Sequence, residues 1–143
     1  MASARTMARM LPITVDTVRL FIHVLAATVW VGGQITVAAL LPVLRGAGAD
    51  VPRAAARSFG RIAWVAFAVL IVTGIWNIAA AADTNAHGYQ TTLGIKMGFV
   101  ALAGLAAWWH QRAKARFALA AGGGLAAVSS LVALFLGMVL AVH

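Results

Sequence analysis

Long apolar blocks alternate with short polar breaks along this chain. A helix crossing a hydrocarbon core of about 30 Å needs roughly 20 apolar residues. Four blocks meet that length, at about 17–41, 56–80, 91–110 and 119–142. The breaks are "RGAGADVPR" (45–53), "ADTNAHGYQ" (82–90) and "HQRAKAR" (110–116). Asp50, with Pro52 behind it, reads as the cap and first turn of the second helix, and Thr91 or Thr92 as the cap of the third. Gly122, Gly123 and Gly124 predict a loosened first turn or a close helix contact early in the fourth block. No break is long enough to separate domains. Helices satisfy their own backbone groups in lipid, so the expected architecture is a single all-α domain over 1–143, a bundle of four transmembrane helices.

Polar residues inside the blocks are few and ordered. Arg19, His23, Ala27, Trp30 and Gln34 step by 4, 4, 3 and 4, which is one helical stripe. It holds nearly every polar group of the first block and should face the bundle interior. Lys96, Ala103, Ala107 and His110 share a stripe on the third. Gly94 with Gly98, and Ser129, Ala133 and Gly137, have the spacing of close helix packing. An ionisable group inside a membrane is a functional-site hypothesis by default. The structural alternatives are specific. Lys96 can snorkel, His23 can bond a neighbouring carbonyl, Gln34 can join helices, and Trp30 and Trp76 can be packing or interface aromatics.

Composition fixes the class. The chain is 63% hydrophobic and 10% charged, with mean hydropathy +0.94; soluble domains are about one quarter charged. This is the composition of an integral membrane protein whose partner is the lipid bilayer. The first block is too long for a signal peptide and reads as a retained span. The net charge of +8 finds no basic face interleaved with aromatics outside the apolar blocks, so nucleic acid is not expected. Arg45, Arg53, Arg57 and Arg61 flank one break, and Arg112, Lys114 and Arg116 another. The positive-inside rule puts these in the cytoplasm and both termini on the outer side. His23 then lies roughly 10 Å below the outer surface and Lys96 roughly 8 Å. Asn77 and Met138 fall at similar depth on the second and fourth helices. There is no cysteine, hence no thiolate ligand, and no acid within the spans to relay protons.

The residues "HVLAATVWVGG" (23–33), "RSFGRIAWVAFAVLIVTGIWN" (57–77) and "YQTTLGIKMG" (89–98) resemble, in that order, the CopD copper-resistance family. The likeness covers the first three spans, and the fourth matches in hydrophobicity alone. It implies a multi-pass protein of the bacterial inner membrane serving copper homeostasis. The outer-side copper donors would be His23, His87, Met138 and His143, with Met7 and Met10 nearby; imidazole and thioether both suit copper. A more distant resemblance is to HemJ-type protoporphyrinogen oxidases, similar four-helix proteins with a histidine in span 1, a lysine in span 3, and haem b implied. His23 and Lys96 fall on those positions, and Arg19, one turn away, could pair with a propionate. On that alternative the chain is a haem-dependent membrane oxidoreductase or electron carrier. Trp30, Trp76 and Asn77 would line the pocket on either reading. A third alternative is a non-catalytic assembly subunit within a homo-oligomer or larger membrane complex.

Overall fold

The structure is a computed structural model that describes residues 13–81 and 88–142. It contains four helices long and apolar enough to cross a bilayer: Val15–Gly46, Val51–Ala80, Tyr89–Arg112 and Arg116–Val142. Each outruns its apolar block by several residues. The hydropathy pattern stops at the first charge, whereas the helix continues into the interface, where Arg45, Arg53 and Arg112 reach water.

Local signals set the ends. Thr14 caps the first helix, accepting from the Thr17 amide at 3.2 Å while Thr17 Oγ1 accepts from the Thr14 amide at 3.4 Å. Asp50 occupies the cap position of the second helix, but its carboxylate turns to Arg53 at 3.5 Å rather than to the backbone. The third helix begins two residues before the expected threonine cap. Gly88, at φ +88°, makes that turn, a conformation open to glycine and strained for other residues.

The first helix is not uniformly α. A π-helical turn occupies Thr28–Gly32. Thr28 donates to Val24 O at 2.9 Å and Thr36 to Gly32 O at 2.8 Å, so a threonine hydroxyl bonds back at each border of the widened turn. Pro42 lies within the last part of the same helix.

The helices pack as two antiparallel pairs. The third and fourth make the most extensive contact; Ala103 and Ala106 are buried on the third and Gly122, Ala126, Ser129 and Ala133 on the fourth. Gly122 and Gly123 therefore make a close helix contact against His110, within continuous helix. A Cβ on Gly122 would stand 3.1 Å from His110 Cα. Gly94 and Gly98, by contrast, would meet nothing within 4 Å if either carried a Cβ, and they face outward. The first and second helices pair around Trp30, Val31 and Ala63, with Phe59, Phe67 and Leu70 against them. Trp30, Trp64 and Phe67 form a ring cluster with centroids 4.6–5.9 Å apart. Trp30 joins the two pairs by donating from Nε1 to Ser130 Oγ at 2.8 Å, and Ser130 donates onward to Ala126 O at 2.7 Å.

Candidate functional site

About two turns from the aromatic cluster, toward the end of the bundle that carries Val15 and Val142, four helices contribute to a polar cluster. His23 Nδ1 lies 2.7 Å from Thr73 Oγ1. Thr73 is buried and donates its single hydroxyl proton to Val69 O at 2.6 Å. With that proton on Val69 O, Thr73 accepts from His23, and the ring proton is assigned to Nδ1 and a lone pair to Nε2. Gly74 gives the ring room: a Cβ there would lie 3.7 Å from His23 Cε1.

Lys96, from the third helix, turns into the bundle. Its Nζ lies where a Cβ on Gly137 of the fourth helix would approach to 3.1 Å. Lys96 is partly buried and leans on a helix backbone, unlike a snorkelling lysine whose head reaches outward.

Arg19 sits one turn nearer the surface and is only 8% exposed. It pairs with Asp16 at 3.0 Å, and its guanidinium lies 5.9 Å from the Trp76 ring centroid, within cation–π reach. Arg19 Nε, Gln34 Nε2 and Asn77 Oδ1 are buried without a hydrogen-bond partner among the described residues. Leaving such an atom unsatisfied costs about 1–3 kcal/mol. Two of the three, Arg19 and Asn77, lie beside this cluster, and Gln34 lies in the other half.

The expected stripe on the first helix thus faces inward: Arg19, Ala27 and Trp30 are buried, His23 and Gln34 half-buried. Trp30 contributes to the core below the cluster and not to the cluster itself. Trp76 is half-exposed under Arg19. Met138 matches the depth but not the face: it is 63% exposed on the outside of the fourth helix. His87 and His143, with Met7 and Met10, lie outside the described residues. Among the described residues no three His, Cys, Asp or Glu side chains converge as a metal cage. Thr73 and Ser130 carry no signal in the sequence, because a threonine or serine in an apolar helix ordinarily bonds only its own backbone.

Chemically the cluster offers one imidazole tied by a threonine hydroxyl, one lysine amine, and a buried guanidinium one turn away. His23, Thr73 and Gly74, which meet, and Lys96, which lies against Gly137, come from the three stretches "HVLAATVWVGG", "RSFGRIAWVAFAVLIVTGIWN" and "YQTTLGIKMG". No family model matches the chain, and neither the curated proteins nor the solved structures include a match. What the chain itself establishes is a multi-pass, four-helix membrane protein with a histidine-centred polar cluster at one end of its bundle.

Proposed function

We propose that the chain is a copper-homeostasis protein of a bacterial inner membrane, with copper as its cargo at His23. The observation that carries this reading is the His23–Thr73 hydrogen bond. It commits Nδ1–H and presents the neutral Nε2 lone pair, the form a metal requires, inside an apolar bundle. Imidazole suits copper. A single donor among the described residues suits a station the ion must leave, since passage requires binding weak enough to release. With the seven basic residues of the two loops in the cytoplasm, His23 opens toward the outside.

Haem b is a second reading, favoured by two observations. Arg19 is buried with Nε unpaired one turn from His23, as a propionate partner would be. Met138 faces outward and removes a thioether from the copper set. His23 would be the axial ligand, Lys96 would have to be neutral to serve as a second, and the group would supply one-electron redox chemistry.

An absorption spectrum and elemental analysis of the purified protein separate the readings. Copper without a Soret band, lost in His23→Gln, is the expected result. A Soret band lost in His23→Gln replaces copper with haem. Full metal or haem content in His23→Gln sinks both, and leaves the histidine as a bond between helices.

A further inference from the structure

The second and third helices belong to different pairs, and their backbones stay apart. Their side chains meet at Phe67 against Gly104 and where Trp64 Nε1 donates to Gln111 Oε1 at 3.0 Å. Between them runs an open groove of about 560 Å³, lined by Trp64, Phe67, Met97, Ala101, Leu105 and Trp108. Its third-helix wall faces outward: Leu105 is 67% and Trp108 49% exposed. In a bilayer such a groove opens sideways into hydrocarbon, where no water is available to fill it.

The groove carries a cation at its Trp108 end. The Arg112 guanidinium lies 4.0 Å from the centroid of the Trp108 ring that closes it. Arg57 falls seven residues before Trp64, on the same face of the second helix, and is exposed. Neither is held by an acid: the ion pairs among the described residues are Arg19–Asp16 and Arg53–Asp50. We propose that this groove binds one anionic phospholipid. An acyl chain lies along Ala101, Leu105 and Trp108, and the phosphate headgroup rests between Arg57 and Arg112 at the basic-loop end. A second copy of the chain fits less well. A two-fold contact along this groove would set Arg57 and Arg112 of both copies at the same depth, like charge against like charge. The site lies apart from His23 and does not depend on what His23 binds.

Native mass spectrometry of the full chain released from detergent micelles, titrated with phosphatidylglycerol or phosphatidylcholine, tests this. The first phosphatidylglycerol should bind on the order of 10- to 30-fold more tightly than phosphatidylcholine, since each basic side chain at an anionic surface contributes about fivefold. Arg112→Gln and Arg57→Gln should each remove about fivefold. Arg45→Gln, at the same end but on the first helix, should change nothing. Ala101→Trp, which fills the groove from its lipid-facing wall, should abolish the preference. Equal binding of the two lipids overturns the site. So does an Arg45→Gln loss as large as that of Arg112→Gln, which would mean diffuse surface charge. Unaltered binding in Ala101→Trp overturns it as well, since headgroup attraction then needs no groove. A dimer in place of the lipid-bound monomer gives the groove to a second copy.

Discussion

Thr73 bonds both His23 Nδ1 and Val69 O, so its removal should be felt at a ring nitrogen it never touches. Thr73→Val keeps the shape and deletes the acceptor, freeing the ring to rotate and to shift its proton. Loss of such an outer partner typically weakens metal binding about 10- to 100-fold. A competition titration against a copper(I) chelator should show a fall of that size for Thr73→Val and near-normal binding for Thr73→Ser; equal losses in both would mean that packing, not the hydrogen bond, matters. Lys96→Met should spare or strengthen copper binding by adding a thioether, and should damage a haem site built on lysine, which the Soret intensity reads directly. His23 and Lys96 are legible from sequence because an ionisable group in an apolar run must have a partner. Thr73 is not, because its backbone bond already accounts for it. Met138 shows the complementary limit: depth follows from counting residues, but the face a residue presents depends on neighbours that the count does not contain.

Within the helices, the three consecutive glycines are not equivalent, and the difference is measurable. A Cβ on Gly122 would meet the His110 backbone, whereas one on Gly124 would meet nothing within 4 Å. Gly122→Ala should therefore destabilise the bundle by about 1–3 kcal/mol through forced separation of the third and fourth helices. Gly124→Ala should stabilise it by up to about 1 kcal/mol through helix propensity. Unfolding in mixed micelles by SDS titration resolves the two, and the same sign for both would sink the assignment of Gly122 as the contact. Trp30→Phe keeps an aromatic ring in the cluster but loses the bond to Ser130, a change of about 0.6–2 kcal/mol in a membrane bundle, read in the same titration. Sequence spacing marks both Gly94 with Gly98 and Ser129 with Ala133 and Gly137 as packing signals. Ser129 and Ala133 are buried within the bundle and Gly137 lies against Lys96, while the glycine pair faces outward; identical spacing cannot distinguish an inner from an outer face. The π-helical turn has no signal either, since its threonines also bond backward in ordinary α-helix.

For the molecule as a whole, hydropathy makes the architecture legible because lipid permits so few alternatives. The pairing of helices is not legible, since it rests on which small residues face which. Orientation is open to a direct check: a periplasm-active reporter fused after His143 should be active and one fused near Ala113 silent, and the reverse would turn the His23 cluster toward the cytoplasm. The pairing has a further consequence, for how the protein can be inherited and made. Each hairpin carries its own basic loop and so holds its own instruction for insertion, and the hairpins meet through a few side chains such as Trp30 and Ser130. His23 and Thr73 belong to the first hairpin, Lys96 and Gly137 to the second. Two separate polypeptides, divided between Ala81 and Gly88 and expressed from separate reading frames, should insert independently, find each other in the bilayer, and co-purify through a joint that Trp30→Phe weakens.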